Sequence, residues 1–141
     1  MSLAYWGSKR RLAKDIADVL CKEGERDYYE PFCGMAYVGI EIARRDCFRR
    51  HHWCDTNTDL VLYWTAVLHG WLPSTAPISQ KTWDQLRATD KHSVRRSFYG
   101  FILGWGGHFL TGRTLNPERN NQRFLSLSLI HISEPTRPLY I

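Results

Sequence analysis

A chain of 141 residues, 43% hydrophobic and 23% charged, has room for a buried core in one domain and the composition of an ordinary globular protein. No apolar run nears the roughly 20 residues that span a bilayer, and the N-terminus lacks the apolar stretch of a secretion signal. The expectation is therefore a cytoplasmic protein without membrane association. The net charge of +5 is unevenly placed: residues 1–70 hold ten basic and ten acidic side chains, residues 71–125 eight and three, and residues 126–141 one of each. A surplus confined to one segment points to an anionic partner such as nucleic acid, although a solvated helical surface would account for it as well.

Along the chain, Leu12, Ile16, Val19 and Leu20 recur at helical spacing and predict an amphipathic helix from about Lys9 to Glu23, with Ser8 near its cap and Gly24 ending it. Asp27 to Phe32 reads as a short strand. Tyr37 to Asp46 reads as a helix crossing back over the sheet, and Arg50 to Cys54 as a second, parallel strand. Leu60, Val61, Trp64, Val67 and Leu68 form another helical stripe, closed by Gly70 and Pro73. After a linker over 72–77, two more helices are predicted at about Ser79 to Ala88 and Ser93 to Leu103, which changes the pattern from α/β alternation to a helical insertion. Residues from Leu127 to Ile141 show neither period and resemble a translated cloning adapter, so they are expected to stand outside the fold. The predicted organisation is an α/β part over 1–70, a basic helical segment over 71–125, and a non-native tail over 126–141.

Cys21, Cys33, Cys47 and Cys54 contain no CxxC pair, and the six histidines supply no ligand spacing. Adjacent His51 and His52 would point to opposite faces of a strand. The expectation is no metal and four thiols in a reducing compartment.

The most informative stretch is Glu30-Pro31-Phe32-Cys33-Gly34-Met35-Ala36, followed 21 residues after Gly34 by Asp55 in Trp53-Cys54-Asp55. A glycine at a strand-to-helix turn lets the backbone approach a ligand, and an acid about 20 positions on can grip ribose hydroxyls. An FxGxA turn is also compatible with an ordinary tight turn. Gly7, Ser8 and Lys9 at a helix start would favour a carboxylate or phosphate, while Lys9 taken alone reads as an exposed lysine. The P-loop pattern is missing. A dinucleotide would call for GxGxxG, where this chain has Ala36 at the second glycine and Gly39 at the third. A ligand with a carboxylate at one end and a ribose at the other matches S-adenosylmethionine better.

Tyr5-Trp6-Gly7-Ser8-Lys9, Glu30-Pro31-Phe32-Cys33-Gly34 and Cys54-Asp55-Thr56-Asn57-Thr58-Asp59-Leu60, in this order and spacing, resemble the N-terminal half of Dam-type adenine-specific DNA methyltransferases. The likeness runs from about Tyr5 to Phe124 and includes Trp105-Gly106-Gly107. It implies an incomplete Rossmann-like, S-adenosylmethionine-dependent methyltransferase fold with a helical insertion, whose family flips adenine out of double-stranded DNA and methylates its exocyclic amine. Carried over by position, Tyr5 and Lys9 would line the methionine end of the cofactor, Phe32 and Gly34 its central turn, and Asp55 its ribose. Lys91, Arg95, Arg96 and Arg113 become candidates for phosphate contacts. The family's Asp-Pro-Pro-Tyr motif is missing, since the chain has no Pro-Pro pair. The resemblance therefore implies a truncated chain, inactive alone and without an assignable catalytic residue, from a phage or a restriction-modification system. A noncatalytic nucleic-acid-binding helical module on an α/β scaffold is the alternative, but it leaves these motifs as coincidence.

Overall fold

Two short strands, β1 (Asp27–Glu30) and β2 (Arg50–Trp53), lie side by side and parallel, with Asp27 opposite Arg50 and Glu30 opposite Trp53. The computed structural model describes residues 7–23, 26–72, 78–104, 108–112 and 139–140. A parallel pair needs a crossover, which is supplied by α2 (Tyr37–Arg45). β1 stops two residues short of the predicted Phe32, because Pro31 has no amide to donate. The ladder skips that pair: the Cys54 amide donates to the Glu30 carbonyl and the Cys33 amide to the Cys54 carbonyl, each at 2.9 Å.

The strands alternate as a half-buried sheet should. Tyr28, His51 and Trp53 are buried on one face. On the other, Arg50 donates to Asp27 at 2.9 Å and Tyr29 stacks on His52, with ring centroids 4.4 Å apart. The two adjacent histidines thus face opposite ways.

Helix α1 (Ala13–Leu20) starts four residues later than the periodicity predicts. Its N-cap is Leu12, which has no side-chain acceptor, and the Leu12 amide closes a tight turn on the Lys9 carbonyl at 3.0 Å. Lys9 therefore lies in the turn before the helix rather than in its first turn. Ala13 and Ala17 form the buried face, while Leu12 and Val19 from the predicted stripe are exposed. Small side chains allow α1 to approach α2 closely, an arrangement fixed at its edge by the Arg45–Asp18 ion pair and by Arg45 donating to the Lys14 carbonyl. The predicted stop at Gly24 lies outside the described residues; α1 runs into a single 3-10 turn over Cys21–Glu23.

Cys21 and Cys47 are joined in a disulfide, with Cα atoms 5.4 Å apart, and the expectation of four free thiols is corrected to two, Cys33 and Cys54. The reason is topological: the end of α1 and the α2–β2 connection meet, although their cysteines are 26 residues apart.

Three further helices follow, α3 (Thr58–Leu68), α4 (Gln80–Ala88) and α5 (Val94–Ile102). Each has a side-chain cap. Asn57 accepts from the Asp59 amide, Ser79 from the Thr82 amide and Ser93 from the Arg96 amide, at 3.0, 3.1 and 3.2 Å. Leu60, Trp64 and Val67 of α3 and Phe98, Phe101 and Ile102 of α5 belong to one continuous core with Trp53 and Ile42. Leu139–Tyr140 forms a two-residue strand, β3, parallel to β2, with Leu139 opposite His51. The tail expected to stand outside the fold thus contributes an edge strand. The architecture is α/β with a parallel sheet.

Candidate cofactor and DNA site

The site grows from the turn between β1 and α2. Gly34 and Ala36 both adopt left-handed backbone angles, with φ of +52 and +49°. Glycine enters that region freely, while an L-residue is strained there by about 1–2 kcal/mol. Ala36 is nevertheless held as the N-cap of α2, fully buried, its amide donating to the Cys33 carbonyl at 2.7 Å. The methyl group at this alternative to the glycine fits. α3 clamps the turn from the other side, where Trp64 Nε1 donates to the Gly34 carbonyl at 2.9 Å.

Asp55 closes the turn. Its Oδ2 accepts from the Gly34 amide and its Oδ1 from the Asn57 amide, both at 2.9 Å. A carboxylate offers about four acceptor positions, so two such bonds fix its orientation and leave capacity for hydroxyl donors.

These groups border a cavity of about 240 Å³. Gly7, Ser8 and Lys9 form one wall and Asp55 another, while Phe32, Met35 and Val38 contribute the apolar lining. Phe32 is 75% exposed and presents its ring at the edge of the cavity. Glu30 also borders the cavity. Burial pushes its carboxyl up to about 7, opposed by hydrogen bonds from Tyr28 and the Gly39 amide and by the charge of Lys9. Burial beside Asp55 likewise pushes the Cys33 thiol up to about 12. The cavity therefore combines a cation, an exposed aromatic face and an oriented carboxylate with acceptor capacity to spare.

Gly39, in the first turn of α2, sits directly against this region. A methyl group there would collide with Trp53 Nε1 and Glu30 Oε2. Its place in the motif is thus explained by packing between α2 and β2.

The family model for D12 class N6 adenine-specific DNA methyltransferase matches residues 5–130. The chain belongs to this family. Comparisons with curated proteins and with solved structures give no match. Membership makes the family's reaction the methylation of adenine in DNA, with a DNA substrate.

Of the positions that the Dam-type resemblance nominated for the cofactor, Lys9, Phe32, Gly34 and Asp55 meet at this one cavity. Tyr5 and the Trp105-Gly106-Gly107 segment lie outside the described residues, as does Arg113 among the basic candidates. Lys91 and Arg95 are exposed, with the Arg95 guanidinium 5.9 Å from the Tyr99 ring centroid. Arg96 turns inward. Its Nη1 donates to Asp59 Oδ2 at 2.6 Å, its Nε to the Leu86 carbonyl at 3.2 Å, and its side chain is 12% exposed.

Asp59 lies in the Cys54 to Leu60 motif, where its sequence position alone assigns it no role. Its side chain is 5% exposed, and Ser97 Oγ and His92 Nδ1 lie 2.8 and 3.1 Å from its two oxygens. An acid two positions past an N-cap reads as a first-turn charge complementing the helix dipole, and nothing local announces partners over 30 residues away. Glu30 also passed without a role, although an acid at the end of a buried strand is the available signal for it. No group of three or more metal-ligating side chains occurs among the described residues, and none of their helices is long and apolar enough to cross a membrane.

Proposed function

We infer that this chain is the cofactor-binding part of an S-adenosylmethionine-dependent, adenine-specific DNA methyltransferase with a Rossmann-like arrangement. The single observation that carries the reading is the oriented Asp55 carboxylate, bonded to the Gly34 amide across the mouth of a cavity that Lys9 also borders. When bound, S-adenosylmethionine supplies an electrophilic methyl group. The chain's own residues hold and orient it. Lys9, with Tyr5 before it, faces the methionine carboxylate, Phe32 and the left-handed Gly34 allow close approach along the middle, and Asp55 accepts from the ribose hydroxyls. Uncharged at low pH and ionised beside a cation, Glu30 suits the methionine ammonium end of the same cavity.

On this reading the basic segment over 71–125 faces double-stranded DNA, and Lys91 and Arg95, together with Arg113, contact phosphates and position the duplex without reading its sequence. The target amine would be held by a motif of the Asp-Pro-Pro-Tyr type, which no residues here provide, so methyl transfer by this chain alone is not expected. A DNA substrate agrees with a cytoplasmic setting. There a reducing thiol pool would act to open the Cys21–Cys47 bridge.

Titration calorimetry of the chain with S-adenosylmethionine tests the reading. Saturable one-to-one binding that S-adenosylhomocysteine competes away is expected; no heat and no competition, with the fold intact by circular dichroism, would leave the noncatalytic nucleic-acid-binding module as the better account.

A further inference from the structure

A continuous polar chain leads from the cofactor turn to the basic helix. The Gly34 amide donates to Asp55, the Asn57 amide to the same carboxylate, and the Asp59 amide to the Asn57 side chain, at 2.9, 2.9 and 3.0 Å. From Asp59 the chain continues through its carboxylate to Arg96 Nη1 at 2.6 Å and to Ser97 Oγ at 2.8 Å, both in the first turn of α5. His92, from the connection before α5, reaches the same oxygen as Arg96 at 3.1 Å. Arg96 in turn binds the carbonyl of Leu86 in the last turn of α4.

We propose that Asp59 is a positioning residue that holds the basic face of α5 in register with the cofactor turn, so that cofactor and DNA bind cooperatively through it. Stability alone does not require it. Apolar side chains of similar volume often replace a buried ion pair without loss, and the best-attested use of such a pair is to fix register. The register matters here because Arg95, exposed and available to phosphate, is covalently adjacent to Arg96 on one side of the seam. Asp55 stands four residues before Asp59 on the other. A ligand that engages the Asp55 carboxylate acts on the bonds that set the Asn57 cap and the first turn of α3. Contacts that strengthen that turn strengthen the Asp59 links with it, and the second ligand then meets an α5 held more firmly in that register. Reciprocity follows: DNA must tighten cofactor binding by the same factor.

This inference rests on the cofactor reading above, and one experiment separates the two. The affinity of the full chain for a short fluorescent DNA duplex is measured by anisotropy with and without saturating S-adenosylhomocysteine, for the unaltered protein, Asp59→Asn and Ser97→Ala. The unaltered protein should bind duplex about fivefold or more tightly when the cofactor product is present, within the usual range of coupling between sites. Both substitutions should bring that ratio close to one while each ligand still binds separately. Ser97→Ala removes a single hydroxyl and serves if Asp59→Asn folds poorly. A ratio that persists in the folded variants, or a ratio of one in an unaltered protein that binds both ligands, overturns the proposal. An unaltered protein that binds duplex but no S-adenosylhomocysteine overturns the cofactor reading itself, and the positioning role falls with it.

Discussion

The Gly34 amide donates to the Asp55 carboxylate at 2.9 Å across a separation of 21 residues, so the two ends of the motif are one hydrogen-bonded unit. Replacing Asp55 with alanine removes both the proposed ribose acceptor and the group that restrains the turn. Hydrogen bonds to a charged group contribute about 1.5–3 kcal/mol, so S-adenosylmethionine affinity should fall by roughly tenfold or more. Calorimetry on Asp55→Ala checks this, and an unaltered dissociation constant would remove Asp55 from the ribose site.

Gly39 tests the packing beneath the same site. Alanine there directs its methyl group at Trp53 Nε1 and Glu30 Oε2, one in the strand and one at the cavity. Overpacking of this kind costs about 1–3 kcal/mol, because α2 must move away from β2. Urea denaturation of Gly39→Ala should show a lowered midpoint at an unaltered slope, and an unchanged midpoint would mean that α2 has room to shift.

Glu30 gives the site a pH dependence with a definite sign. Burial raises its carboxyl from 4.5 in the unfolded chain to about 7 in the folded one, so the folded state holds the proton more tightly. Its contribution is fully present below about 4.5 and is lost as pH rises through about 7. Glu30→Gln keeps the shape and does not ionise. Thermal melts from pH 4.5 to 8 should therefore show the unaltered protein losing stability relative to Glu30→Gln as pH rises, and parallel curves would place the Glu30 ionisation elsewhere.

Much of the architecture was legible in the sequence, and what was not has particular causes. The order of elements from α1 to α5 and the parallel pairing of β1 and β2 follow from helical period and short apolar runs, whereas the meeting of Lys9, Phe32, Gly34 and Asp55 at one cavity follows mainly from the ordered motifs of the family resemblance. The start of α1 was misplaced because Ser8 is a good cap type; its Oγ only meets the Arg10 amide at 3.4 Å, in a turn that precedes the helix. Its buried face was misread because large apolar residues set the pattern, whereas close packing on α2 selects Ala13 and Ala17. The inward turn of Arg96, the burial of Asp59 and the Cys21–Cys47 bridge depend on contacts between residues 26 to 38 positions apart, which no local period encodes.

Neighbouring arginines on α5 should respond differently to substitution. Arg96 is paired with a buried carboxylate, and truncating one partner of such a pair costs about 3–5 kcal/mol, so Arg96→Ala should be strongly destabilised. Arg95 is exposed, and Arg95→Ala should melt close to the unaltered protein. On the DNA reading, Arg95→Ala should instead lower the slope of log affinity against log salt by about 1, as expected when one phosphate contact is lost. An unchanged slope would return Arg95 to the solvated surface of α5.

The disulfide makes a prediction that can be read by counting thiols. With Cys21 and Cys47 joined, only Cys33 and Cys54 are free, and of these Cys33 is buried with its thiol pushed up to about 12 while Cys54 is exposed. A thiol reagent such as DTNB should therefore label one site in the native protein, two after unfolding without reductant, and four after unfolding and reduction. Closing a loop of this length restrains the unfolded chain and contributes about 3.5 kcal/mol in the chain-entropy account. Cys21→Ser should thus lower the melting temperature under oxidising conditions by as much as reduction lowers that of the unaltered protein. Four thiols in the unreduced, unfolded protein would show instead that the α1 end and the α2–β2 connection meet without a covalent bond.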